Sequence, residues 1–283
     1  MVRIYMMRIL SALAALLSLA ACSPLAILNA VVPHGNFVEH EGIAFREGPR
    51  GKLDVYVPKD NAATHPVVVF IYGGAWDSGD RGSYLFVAEA LTAQGLVVVI
   101  PDYRVYPEVT YPAFVEDAAA AFAWTKKEIA AYKGDASRVF LMGHSAGAHI
   151  AAMVSYNERF LAKHGLKRSD VRGFIGLAGP YDFVPDEPKI VAALSGEGDP
   201  ARTAMPARFV HGGEPPSLLI RGDKDTRVGA INQDRLVAQL KASGSSYQDI
   251  RYPELTHSTV IAKFAKPLRD DALVDAVVEF AKR

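Results

Sequence analysis

Arg138-Val139-Phe140-Leu141-Met142-Gly143-His144-Ser145-Ala146-Gly147-Ala148-His149-Ile150-Ala151-Ala152 reads as a short buried strand, a sharp turn and the start of a helix. The turn is a Gly-x-Ser-x-Gly pentapeptide. A serine on such a strand-to-helix turn is lifted clear of the sheet, and the flanking glycines let neighbouring backbone crowd in around it. The helix start behind it leaves amides without intrahelical acceptors, at the positive end of the helix dipole. That combination suits a nucleophile whose product is an oxyanion.

Outward from this stretch, apolar runs and amphipathic segments alternate. Residues 66–72, 96–100, 139–142, 173–178, 217–221 and 247–252 read as strands. Residues 83–94, 112–132, 231–242 and 267–282 read as helices. Residues 51–58 alternate polar and apolar, which predicts a half-exposed antiparallel strand. Repeated β-α alternation predicts a mostly parallel sheet with helices on both faces. Right-handed crossovers then bring the strand C-termini, and the loops after them, to one edge where ligands bind.

A serine hydroxyl is a poor nucleophile until a base takes its proton, and an imidazole base needs an acid to hold its tautomer. Two loops just past strand ends carry candidates. Asp223 and Asp225 follow the strand 217–221, and His257 follows the strand 247–252. His144 adjoins the serine, His149 sits on the helix after it, and His211 precedes the acid strand. His34, His40, His65 and His164 have no catalytic context.

Together these pieces resemble the α/β-hydrolase superfamily. The chain looks like its esterase branch: hormone-sensitive-lipase-like esterases, kynurenine formamidases and isoprenylcysteine methylesterase-like proteins. Gly48-Pro49-Arg50, Leu53-Asp54-Val55-Tyr56, Gly73-Gly74-Ala75-Trp76, Pro101-Asp102-Tyr103-Arg104 and Gly179-Pro180-Tyr181-Asp182 carry the resemblance, with the serine turn and the two loops. It implies an α/β-hydrolase fold with a short lid over residues 181–213 and the chain order Ser, Asp, His. Ser145 is then the nucleophile, His257 the base and Asp225 the orienting acid. Asp225 fits the Gly-x-x-Asp-x-x-Val pattern; Asp223 is the competing aspartate. The oxyanion hole falls to the amides of Gly74, Ala75 and Ala146, where relatives often carry His-Gly-Gly-Gly. Tyr72, Trp76 and His144 are expected in the substrate pocket, and Pro101 to Arg104 as a buttress for the oxyanion loop.

The front of the chain follows a different grammar. Arg3 and Arg8 precede an apolar run over residues 9–20, too short for a comfortable transmembrane helix. Leu19-Ala20-Ala21-Cys22 resembles a bacterial lipobox, and Cys22 is the only cysteine. Residues 1–21 are therefore expected to be a lipoprotein signal peptide, 22–45 a tether and 46–283 the catalytic domain. Cys22 is expected to carry lipid on the periplasmic side of an envelope membrane. The stretch 26–33 is apolar enough to pack on the domain or on lipid.

Charges balance at 31 basic and 31 acidic residues, so no nucleic-acid surface is expected. No metal-spaced His/Cys set and no cofactor motif stand out. The expectation is a serine carboxylesterase for small to medium esters, with an arylformamidase-like amidase or a polysaccharide acetyl or feruloyl esterase as alternatives. A catalytically inactive envelope binding module is the non-enzymatic alternative.

Overall fold

The computed structural model describes residues 24–283, so the expected signal peptide and Cys22 lie outside the described residues. Eight strands form one sheet: β1 Phe37–Ala44, β2 Lys52–Pro58, β3 His65–Ile71, β4 Val97–Pro101, β5 Gly134–His144, β6 Gly173–Leu177, β7 Ser217–Gly222 and β8 Tyr247–Tyr252. Their order is β1-β2-β4-β3-β5-β6-β7-β8. The β1–β2 and β2–β4 joins are antiparallel, and every join from β4 to β8 is parallel. The helices are α1 Pro24–Ala30, α2 Leu85–Thr92, α3 Ala113–Glu128, α4 Ala146–Tyr156, α5 Glu158–Ala162, α6 Pro188–Leu194, α7 Pro200–Thr203, α8 Ile231–Ala242, α9 His257–Ala262 and α10 Asp271–Ala281. This is the α/β-hydrolase fold.

The continuous apolar runs form the middle of the sheet. Every residue of β3 and β4 is buried, as a strand covered by helices on both faces requires. α4 is also buried along its whole length, and its alanines let it lie close on the sheet.

Two expectations need correction. The segment 22–45 is not a free tether over its described part. It contributes α1 and the edge strand β1, whose outer residues are largely exposed. Glu39, His40 and Glu41 hide the strand from a search for apolar alternation, because edge strands carry charges that discourage further pairing. β2 is buried at six of its seven residues, not half-exposed. The polar position responsible is Asp54, which is buried because it pairs with Arg81 at 2.8 Å and accepts the Gly42 amide at 2.7 Å.

Because β3, β5, β7 and β8 run parallel, their C-terminal ends share one edge. That edge receives the Gly73–Trp76 loop, Ser145, the Asp223–Val228 loop and His257.

Candidate active site

Ser145 stands between β5 and α4 with φ +56°, a left-handed backbone that a non-glycine residue rarely holds. The neighbouring contacts impose it. A Cβ at Gly143 would lie 2.3 Å from the Gly147 carbonyl oxygen, and one at Gly147 would lie 2.1 Å from that of Ile71. The pentapeptide glycines therefore let the start of α4 press against both β5 and the end of β3. The Ser145 amide donates to Leu177 O at 2.9 Å, which ties the turn to β6.

His257 is the first residue of α9. Thr256 caps that helix in a reciprocal pair with Thr259. The loops carrying Asp225 and His257 approach so closely that a Cβ on Gly222 would sit 2.0 Å from Leu255 O. His257 Nδ1 lies 2.8 Å from Asp225 Oδ2, and His257 Nε2 lies 2.8 Å from Ser145 Oγ. A carboxylate only accepts, so Nδ1 carries the proton and Nε2 is left to accept from the serine hydroxyl.

Asp225 Oδ1 accepts the amides of Arg227 and Val228 at 2.9 and 2.8 Å. Burial pushes this carboxyl up, but the His257 ring and the two amides outweigh burial and hold it below the usual carboxylate range. Asp223 is absent from this arrangement. Its carboxylate pairs with Arg221 at 2.8 Å and is exposed.

His144 Nε2 donates to the His257 carbonyl oxygen at 3.0 Å, so the residue beside the serine also holds the loop of His257. Burial, aided by the adjacent His257 ring, pushes the His144 imidazole down to about 3. His149 lies deeper. It accepts from Trp76 Nε1 at 3.3 Å, and its own Nε2 donates to Ala204 O at 2.6 Å. Burial pushes it down to about 4.

A histidine whose pKa falls on folding contributes stability that is full above its unfolded value and is lost as pH drops toward its folded value. For His149 that window runs from 6.5 down to about 4, and the loss across it should reach roughly 3 kcal/mol. Denaturant unfolding over that range should therefore show a shallower pH dependence for His149→Gln than for the wild type. Equal slopes would show that His149 does not stay neutral in the fold.

Gly74 and Ala75 follow β3 and line the same cleft as Ser145 and His257. Gly74 has φ +142°, and a Cβ there would meet Ser78 O at 2.1 Å. Among the hydrogen bonds of the described residues, the amides of Gly74 and Ala75 have no acceptor. Ala146 opens α4, so its amide has no acceptor within the helix.

Tyr72 and Trp76 do not line the cleft, contrary to expectation. Tyr72 is fully buried, donates to Asp102 Oδ1 at 2.9 Å and stacks between Tyr84 and Tyr103. Asp102 also takes the Arg81 amide at 2.9 Å, so this cluster braces the loop from below. Trp76 is 3% exposed and packs edge-on against His149. Large aromatic surface with one polar atom finds its place in the core when a buried acceptor meets that atom. His144 does line the cleft.

The cleft has a volume of about 590 Å³. Its walls include Leu25 and Leu28 of α1 and Ile190 of α6, which no catalytic motif marks. Leu28 falls in the apolar stretch 26–33 and Ile190 in the expected lid segment, the two signals the sequence offers. The expected lid segment contributes Glu187, Lys189 and Ile190, and Lys189 reaches Asp77 at 3.5 Å across the cleft. Among the described residues, no three His, Cys, Asp or Glu side chains gather in a way that could hold a metal.

The sequence profile of the BD-FAE family matches residues 53–240, about two thirds of the chain. The chain belongs to the BD-FAE family. Beyond this, it is similar to a protein of Oryza sativa subsp. japonica named probable isoprenylcysteine alpha-carbonyl methylesterase ICME, with 27% identity over 83% of this chain and 62% of that one. It is also similar to esterase LipC of Mycobacterium tuberculosis, with 29% identity over 78% of this chain and 59% of that one. The chain spans 35% to 62% of the length of the first curated relatives it matches. The crystal structure of esterase B from Lactobacillus rhamnosis superposes with a TM-score of 0.79 and 21% identity, covering 97% of this chain and 94% of that one. That likeness concerns the fold. The BD-FAE match ends before β8, so His257 lies outside it, whereas Ser145 and Asp225 lie within it.

Proposed function

We propose that this BD-FAE protein is a serine carboxylesterase for small to medium esters. The observation that carries the reading is the hydrogen-bonded chain Ser145–His257–Asp225 beside the free amides of Gly74 and Ala75 in one cleft. Ser145 Oγ attacks the ester carbonyl carbon while its proton passes to His257 Nε2. Asp225 stabilises the imidazolium and keeps Nδ1 protonated. The carbonyl oxygen becomes an oxyanion and takes hydrogen bonds from Gly74, Ala75 and Ala146, each worth about 3 kcal/mol of barrier. Collapse expels the alcohol, which receives the proton from His257. Water then enters by the same route and releases the acid from Ser145.

The names of the curated relatives support ester cleavage as the chemistry of the family. The placement of the protein at a bacterial envelope membrane, through lipid on Cys22, rests on the sequence of residues 1–22. Among the described residues, no helix is long and apolar enough to cross a membrane.

The test is a panel of p-nitrophenyl esters, acetylated and feruloylated oligosaccharides and an arylformamide, run beside labelling with a fluorophosphonate. Simple esters should be cleaved with the highest kcat/KM, and label should attach at Ser145. A faster formamide would move the assignment to the amidase. A chain that neither labels nor turns over any substrate would point to a binding module.

A further inference from the structure

The helix α1 precedes the residues matched by the family profile, yet it forms part of the wall of the cleft. Leu25 and Leu28 are three residues apart, so they project from one face of the helix. Both line the cavity that holds Ser145 and His257, and both pack on the edge of the core. The next apolar pair, Ile27 and Val31, faces away, at 48% and 50% exposed.

The helix is docked by a specific clamp. Asn29 Nδ2 donates to Gly82 O at 2.6 Å, and Asn29 Oδ1 accepts the Phe86 amide at 3.3 Å. Phe86 is the second residue of α2, a helix with no side-chain cap of its own. Asn29 therefore satisfies one of the orphan amides at the start of α2 from outside that helix. A segment joined to the body in this way holds its leucines at a set distance from the serine.

We infer that α1 is the wall that receives the apolar arm of the ester, and that Leu25 and Leu28 set the chain length the cleft prefers. The inference rests on the esterase reading above and deepens it. Tyr84, Ile190 and Ile261 add apolar surface to the same cleft, which Ser145 and His257 also line. A chain bound there leaves water and touches side chains all along its length, which favours medium-chain substituents over acetyl. Losing a leucine from such a wall removes contacts that the longer chain makes. An acetyl group, which ends beside the serine, makes fewer such contacts.

The full chain is assayed with p-nitrophenyl esters from acetate to dodecanoate, and with ethyl and octyl acetate to extend the alcohol arm instead. Leu25→Ala/Leu28→Ala should lower the kcat/KM ratio of p-nitrophenyl octanoate to p-nitrophenyl acetate, or of octyl acetate to ethyl acetate, by about tenfold or more. Leu28→Trp, which fills the cavity, should move the optimum to shorter chains. Ile27→Ala/Val31→Ala, on the outer face, should leave the profile unchanged. In the Ser145→Ala background, calorimetry should show the same loss in binding of p-nitrophenyl octanoate. An octanoyl-to-acetyl ratio and an octyl-to-ethyl acetate ratio that stay at wild-type values in both the double alanine and the tryptophan variants overturn the assignment. Lack of ester turnover by the wild-type chain sinks the esterase reading alone, and the binding comparison then still decides the wall.

Discussion

Ser145→Ala is expected to lower ester hydrolysis by about 10⁵-fold or more, with the fold intact. The hydroxyl lies 2.8 Å from His257 Nε2, placed to become the attacking oxygen. Removing it leaves the oxyanion amides and the cleft unchanged, so the residual rate is what binding and those amides give with water as the nucleophile. The change should be quiet for stability. It deletes one oxygen at a half-buried turn, opens no cavity in the core and keeps the Ser145 backbone, whose +56° φ is imposed by the packing of Gly143 and Gly147. A shift within about 1 kcal/mol is expected from denaturant unfolding. Turnover above roughly one part in a thousand of wild type would mean that another nucleophile serves the site.

The second large effect separates two aspartates that stand two positions apart. Asp225→Asn should lower kcat by about 10⁴-fold, and Asp223→Asn should leave it within about twofold. The reason lies in the partners of each oxygen. Asp225 Oδ1 accepts two amides, from Arg227 and Val228. In the asparagine variant those donors keep the carbonyl oxygen in the same place, so the NH₂ group is forced toward His257 Nδ1. An NH₂ donor facing Nδ1 selects the tautomer with the proton on Nε2, which then has no lone pair for the Ser145 proton. Asp223 pairs from the exposed side of the loop with the nearly buried Arg221, so its loss weakens an ion pair that does not involve His257. The paired measurement is kcat at saturating ester for both variants. A larger loss from Asp223→Asn would reverse the assignment within this loop.

Much of this site could be read along the chain. Gly143-His144-Ser145-Ala146-Gly147 needs close backbone approach at both glycines, and a glycine at such a position leaves a local mark in the sequence. Strands β3 and β4 are legible for a similar reason. A strand buried on both faces must be apolar at every residue, whatever it packs against. β1 escaped because an edge strand is selected for charge as much as for apolar pattern. β2 reads as half-exposed because Asp54 looks like a solvent-facing position until Arg81, 27 residues later, is placed beside it.

Local pattern thus reports what each residue's own backbone and burial demand: the strand-turn-helix around Ser145, the parallel sheet, and the loops that carry Asp225 and His257. It is silent on pairings made across the fold, because no covalent neighbour records them. The contact of His144 with the His257 carbonyl spans 113 residues, and that of Trp76 with His149 spans 73. Tyr72 and Trp76 went into the core because buried acceptors were waiting for their polar atoms. Asp225 faces His257 while Asp223 pairs with Arg221, on a loop that closes against Leu255 because Gly222 has no side chain. Leu25 and Leu28 reach the cleft because Asn29 finds the uncapped start of α2, 57 residues further along the chain. Each of these outcomes is set by shape and hydrogen-bond satisfaction in three dimensions, where a group is stable only when a distant partner arrives to complete it.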